Sequence, residues 1–336
     1  MKKLLRYCGL VALAGAALYL PNCDDGGPGP APYNGPWKIV PCPEAEGLYV
    51  LEGVYFLRRD LGYAVGCRHI LKYENGQWRI DYIHREGNER YSVVLADVWF
   101  EDAKDGWVVG REYDKTERTT KALLLHYDGK TWKKVDHNTG ATSFEAVNFL
   151  NPNEGWAAGF GICHWNGSSW EYISDLSFLT DIYFNSPTDG WATGHKCELI
   201  YHYDGSTWTR VHDDPWGIEL YSVWFTSPDH GWAGGSEANA VDESNIMEYK
   251  NGKWDYYLGA AWDEGIKDYI NAVHFSGPNN GWAVGQQTFR WDGERWWHVK
   301  RPPPETHTGT LFGVFTLDEN DAWAVGDGRT ILHYEP

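Results

Sequence analysis

The chain has 336 residues, enough for one large domain or two ordinary ones, so length alone does not decide the architecture. Its 38 glycines and 20 tryptophans, with no long amphipathic helical pattern, favour an all-β protein with many tight turns. A formal charge of −18 repels phosphate backbones and argues against a nucleic-acid partner, while acidic solubility is enough to explain it.

The first residues read as a targeting segment. Lys2, Lys3 and Arg6 precede a short apolar run from Gly9 to Leu20, too short for a comfortable membrane span, and export is the better reading. The run ends at Leu20-Pro21-Asn22-Cys23, and a Pro/Gly-rich stretch follows. The layout resembles a bacterial lipoprotein signal, although Asn22 stands where such signals carry a small residue. The expected organisation is a signal peptide over residues 1–22, lipidation at Cys23, a flexible tether over 23–33 and one domain over 34–336. The expected location is the cell envelope or outside the cell, with membrane contact only through the lipid.

One phrase then recurs to the end of the chain. An apolar-x-Phe triplet is followed by a short loop, Gly-Trp-Ala-Val-Gly, and an Ile-Leu-His-Tyr-Asp-Gly-x-x-Trp segment. The Gly-aromatic pair falls at Gly62-Tyr63, Gly106-Trp107, Gly155-Trp156, Gly190-Trp191, Gly231-Trp232 and Gly281-Trp282, with Ala322-Trp323 as a seventh copy. Spacings of 35 to 50 residues suit one four-stranded propeller blade per repeat. Strand A is the Val98-Trp99-Phe100 type and strand B the Gly-Trp-Ala-Val-Gly type. Strand C is the Ile-Leu-His-Tyr type, and strand D opens at Trp78, Trp132, Trp170, Trp208, Trp254 and Trp296. Asp-Gly or Asn-Gly between C and D predicts a tight hairpin turn.

The seventh copy stops at Tyr334-Glu335-Pro336 without a strand D, and a matching piece, Trp37-Lys38-Ile39-Val40, lies at the other end. The sequence therefore predicts a single seven-bladed β-propeller whose last blade is completed by the N-terminal strand, leaving no open edge in the ring. The phrase resembles bacterial BNR-like, sialidase-type propeller repeats, and most of all the propeller lipoproteins of the photosystem II assembly-factor type. The resemblance covers residues 37–336. With His-Tyr-Asp-Gly-Ser-Thr-Trp at His202 to Trp208 and its acidity, this chain takes from the resemblance the architecture rather than a photosystem role.

Seventeen tryptophans fall on repeat positions and read as inter-blade packing, which leaves Trp216, Trp262 and Trp297. In a propeller the A–B and C–D turns share one face, and the B–C and D–A connections share the other. The second set varies in length here, with long B–C segments from Arg111 to Ala122 and Ser236 to Asn245. Binding residues tend to sit on variable loops of a rigid scaffold, so a ligand or partner site is expected around Trp216, Trp262, Asp213, Asp214, Glu219, Asp263 and Glu264. His126, His164, His202 and His333 share a position with Lys72, Glu248 and Arg290, which reads as a solvent-facing strand position.

Four cysteines in an exported domain favour disulfides, with Cys42–Cys67 and Cys163–Cys197 the preferred pairing. Cys163, His164, His195 and Cys197 could instead hold zinc, but the spacing matches no compact zinc module. No metal and no cofactor are expected. There is no Gly-rich phosphate loop, Gly-x-Ser-x-Gly elbow or His-Glu-x-x-His, and the sialidase Arg-Ile-Pro and Ser-x-Asp-x-Gly-x-x-Trp signatures are absent. The leading expectation is a non-enzymatic, monomeric interaction module for a protein or glycan. The alternative is a glycoside hydrolase or lyase with its site at the central channel. A lectin with equivalent inter-blade pockets fits the unequal loops less well.

Overall fold

Each copy of the phrase folds as one four-stranded antiparallel sheet, with strand A innermost. The structure is a computed structural model, which describes residues 35–84, 93–116, 118–195, 199–212, 219–236, 244–258, 266–302 and 309–336. Blade 1 runs Gly53–Arg58, Leu61–Gly66, His69–Glu74 and Gln77–Ile83. The A strands of blades 2 to 7 are Val93–Asp102, Phe144–Asn151, Leu179–Ser186, Glu219–Ser227, Ile270–Gly277 and Leu311–Asp318. The seventh blade takes its outer strand from the chain start. Trp37–Ile39 pairs antiparallel with Thr330–Tyr334, with Trp37 opposite Tyr334. The fold is the seven-bladed propeller read from the sequence.

Aromatic packing between blades repeats as strictly as the sequence. The ring after the first B-strand glycine stacks on the A-strand phenylalanine of the next blade, as in Tyr63 on Phe100 at 4.0 Å and Trp156 on Phe184 at 3.5 Å. The D-strand tryptophan of that next blade meets the same phenylalanine edge-on, as in Phe100–Trp132 at 5.7 Å and Phe184–Trp208 at 5.9 Å. Stacked and edge-to-face contacts of this kind add to the apolar burial of both rings.

The first glycine of strand B leaves room for that phenylalanine. A Cβ on Gly106 would lie 2.3 Å from the ring of Phe100, directly across the A–B pair. Blade 7 solves the same steric problem differently. Ala322 replaces the glycine, and the residue opposite it is Thr316 rather than phenylalanine. The extra methyl on one strand is matched by a smaller side chain on the other.

The C–D turns are of two kinds, set by the distance from the Asp/Asn to the tryptophan. With three residues, at Asn75 and Asn251, the loop is two residues long and both members have positive φ. With four, at Asp128, Asn166, Asp204 and Asp292, only the glycine is left-handed. Here the side-chain oxygen of the Asp or Asn accepts the N–H groups two and three residues on, at 2.9–3.0 Å. Asp-Gly therefore acts in these blades through its side chain rather than through positive φ at the aspartate.

The segment from Arg111 to Ala122 is not a loose insertion. Strands Asp105–Asp114 and Thr119–Tyr127 pair continuously from Gly106–Tyr127 to Asp114–Thr119, so the B–C hairpin is extended outward by strand.

Candidate functional site

The A strands surround a cavity of about 550 Å³ on the propeller axis. Each strand contributes residues to it at four successive levels. Nearest the start of the strands, on the face of the D–A and B–C connections, stand Glu52, Ala96, Glu145, Thr180, Tyr221, Asn271 and Phe312. In blades 2 to 7 this residue is skipped by the A–B register, for example between Leu95 and Asp97 and between Leu220 and Ser222. A one-residue bulge recurs at the channel mouth in each of these blades. Bulges re-aim side chains and end regular pairing, which here frees one position per blade from the sheet's alternation.

The next level holds Asp97, Asp181 and Ser222, with glycine or alanine in the other blades. These three tie blades together. Asp97 accepts the N–H of Val98 at 2.8 Å and of Val147, in the next blade, at 2.9 Å. Asp181 does the same with Ile182 and Val223, both at 2.8 Å. Ser222 Oγ accepts the N–H of Val273 at 3.2 Å. A third level of valine or isoleucine follows in all seven blades. The fourth is an aromatic tier of Tyr55, Trp99, Asn148, Tyr183, Trp224, His274 and Phe315. Its rings touch around the axis, with Tyr55–Phe315 at 4.9 Å, Tyr183–Trp224 at 4.9 Å, Trp224–His274 at 4.1 Å and His274–Phe315 at 4.3 Å. Trp99 and Trp224, expected to pack only between blades, also line the channel. Trp99 does both, stacking on Phe149 of the next blade at 4.5 Å.

The two non-aromatic-carbon members of this tier act as further ties. Asn148 Oδ1 accepts the N–H of Phe184 at 3.1 Å. His274 Nδ1 accepts the N–H of Thr316 at 3.0 Å, which places the ring proton on Nε2. Burial holds the His274 pKa down at about 3, so the imidazole is neutral.

Burial acts oppositely on the channel carboxylates. It pushes Asp97 up to about 6 against its two backbone hydrogen bonds. It pushes Asp181 up to about 7, aided by the charge of Asp97 and opposed by Val223, Ser222 and Ile182. Glu52 rises to about 7 through burial, with Arg111 lowering it and Glu145 and Asp327 raising it. A carboxyl with a raised folded-state pKa binds its proton more tightly folded than unfolded, so its contribution to stability is lost as pH rises through that pKa. Between pH 6 and pH 8 the protein should therefore lose stability. His274 and His69, both held low by burial, affect stability only as pH falls below about 6.5. Asp181→Asn removes one titrating group and one inter-blade acceptor. It should lower stability by about 1–2 kcal/mol and flatten the difference between urea midpoints at pH 6 and pH 8. An unchanged difference would show that Asp181 does not titrate in this range.

Around the mouth, Arg111 donates to both oxygens of Glu145, at 2.7 and 2.6 Å. Glu219, at the start of its A strand, accepts from the Tyr221 hydroxyl at 3.3 Å and lies 3.4 Å from His195 Nδ1. Of the residues expected to form a binding site, Glu219 thus reaches the channel rim beside Tyr221. Asp213, Asp214, Trp216, Trp262, Asp263 and Glu264 lie outside the described residues, as does Cys23. Trp297 is an exposed edge-strand residue with Arg295 over its ring at 3.5 Å.

The expected Cys42–Cys67 bridge is not formed in this structure. Both are free thiols, with Cys42 Sγ at 3.7 Å from Pro43 O and Cys67 Sγ at 3.7 Å from Val50 O. Cys163 is free and buried, and Cys197 lies outside the described residues. Among the described residues no three His, Cys, Asp or Glu side chains gather as a metal site.

The recurring strand-C histidines are not simply solvent-facing. His126, His164, His202 and His333 are half-buried, each bonded to the acidic residue that opens strand B of its own blade (Asp105, Glu154, Asp189 and Asp321) at 2.7–3.0 Å. Each also packs on the B-strand tryptophan, as in Trp323–His333 at 4.0 Å. In blade 5 the pair is exchanged, with His230 opening strand B and Glu248 on strand C, 2.8 Å apart. The position accepts either charge because its partner changes with it.

No family model matches the chain, and no curated protein does. Solved structures match along most of its length. YCF48 bound to D1 peptide superposes with a TM-score of 0.65 at 16% identity, over 90% of this chain and 98% of that one. YCF48 from Cyanidioschyzon merolae gives 0.62 at 17% identity, over 89% and 99%. The WD40 domain of Neurospora crassa Pan2 gives 0.64 at 12% identity, over 91% and 98%. The likeness is one of fold. It includes the photosystem II assembly-factor type of propeller that the repeat resembles.

The mouth residues and the carboxylate ties were missed in the sequence. The available signal was the pair of positions just ahead of the triplet, which vary in charge and size while the triplet's first residue is Val or Ile in all seven blades and its last is Phe in six.

Proposed function

We propose that this chain is an exported, envelope-anchored, non-enzymatic propeller that presents its loop-rich face and the channel mouth to a partner protein. The observation that carries this reading is how the channel carboxylates are used. Asp97 and Asp181 are the candidate acid–base pair for a glycosidase, and both oxygens of each accept a backbone N–H. They serve as ties between blades, with no oxygen left without a scaffold donor. The bulges, by contrast, present a different side chain in each blade at the mouth, which suits recognition of an irregular partner surface. The YCF48 structure with a D1 peptide supports a peptide or protein as the class of partner for a propeller of this shape. Lys2, Lys3, Arg6, the apolar run and Cys23 support export and lipid anchoring.

The test compares two faces. Tyr221→Ala with Glu219→Lys alters the mouth, and Lys133→Glu with Lys130→Glu alters the opposite face. Chemical crosslinking in intact cells followed by affinity purification should give a partner that is lost with the first pair and kept with the second. Equal retention by both would count against the reading. So would turnover in a glycoside screen that disappears with Asp181→Asn.

A further inference from the structure

The polar groups of the channel are unequally used. The donors of its two upper levels are committed to the scaffold. Thr180 Oγ1 donates to Leu220 O at 2.7 Å, and Asn271 Nδ2 to Leu311 O at 2.8 Å. The Arg111 guanidinium is held by Glu145. Acceptors are left over. Asp97 receives one N–H per oxygen, Asp181 receives the same and the Ser222 hydroxyl besides, and a carboxylate oxygen can accept two. The Glu52 carboxylate lines the same cavity and makes no hydrogen bond among the described residues.

Below these acceptors lies the tier of aromatic faces, whose quadrupoles attract positive charge. An anion would be repelled here. A bare metal ion lacks three gathered ligands among the described residues. A neutral polyol needs donors for its oxygens, and those on the upper levels are already committed. A group that only donates hydrogen bonds and carries positive charge suits the acceptors of the upper levels and the rings below them.

We propose that the channel receives the ammonium end of a lysine side chain, drawn in by the charges of Glu52, Asp97 and Asp181 above the aromatic tier. The inference rests on the partner-binding reading above and names what the partner inserts. The probe is Nα-acetyl-lysine amide, compared by calorimetry with its Nε-acetylated form at millimolar concentration. The free ammonium should bind at least tenfold more tightly than the acetylated form. Glu52→Gln, which alters no tie between blades, should weaken the free form about tenfold while the unfolding transition is kept. Asp181→Asn should weaken it further in a protein still folded by circular dichroism.

Equal affinity for both probes, no binding of either, or an unchanged affinity in Glu52→Gln would overturn the proposal. If the crosslinked partner still binds the mouth of the wild-type protein while the ammonium probe does not, the lysine site fails and the interaction reading stands. If the probe binds as described but no partner depends on the mouth, the site stands without that reading.

Discussion

Removing Trp37 to Val40 should leave a protein that does not fold cooperatively, although it deletes only four residues of 336. Trp37 is fully buried, with its ring 4.7 Å from Trp282 and 5.4 Å from Tyr334. The strand it begins is the outer strand of blade 7, which otherwise ends at Thr330–Tyr334. Without it the hydrogen-bonding edge of that strand lies open and the tryptophan site between blades 6 and 7 is empty. The milder Trp37→Ala keeps the backbone pairing and should cost about 3–5 kcal/mol, read as a fall in the urea midpoint with little change in slope. A deletion variant with wild-type stability would mean that the ring closes some other way.

A single methyl group should do comparable damage at Gly285. Its Cβ would lie 1.8 Å from the carbonyl oxygen of Tyr269, which already accepts the N–H of Gln286. Neither backbone can yield without parting strands B and A of blade 6. The same close approach, 1.8–2.5 Å, recurs at Gly66, Gly110, Gly159, Gly194, Gly235 and Gly326, which explains the second glycine of the phrase in all seven blades. Gly285→Ala should cost more than about 3 kcal/mol. Gly277→Ala is the matched control, since nothing lies within 4 Å of its Cβ and its φ is not in the left-handed region. It should stay within about 0.5 kcal/mol of wild type in the same urea titration. Similar losses at the two sites would remove the steric explanation.

The architecture was legible because the repeat is enforced by packing. Tyr63, Phe100, Gly106 and Trp132 occupy fixed places in one inter-blade cluster, and their relatives in the other blades had to follow. The channel was less legible because its residues answer to the ring as a whole. Asp97 and Asp181 sit in alternate blades at a level where their neighbours are glycine, alanine or serine, so no period announces them. The bulge ahead of the A-strand triplet in blades 2 to 7 leaves no mark in alternation that a single sequence displays. The histidines show the opposite failure. His230 and Glu248 looked like a loss of pattern, and only their contact showed an exchange of roles.

These exchanges set the size of the unit that can be moved between propellers or within this one. The Thr316–Ala322 pair faces itself within blade 7, with the Thr316 hydroxyl also donating to His274 O of blade 6, and the His230–Glu248 reversal is closed inside blade 5. The links from one blade to the next that run through Asp97, Asp181 and Ser222 end on backbone N–H groups, which any residue but proline supplies. Recombination at the D–A connections would carry each matched pair intact into a new neighbour that can still receive it. A crossover inside a blade would place a phenylalanine against an alanine, or two acids face to face. The blade is thus the heritable module of this protein, and its borders are chemical before they are topological.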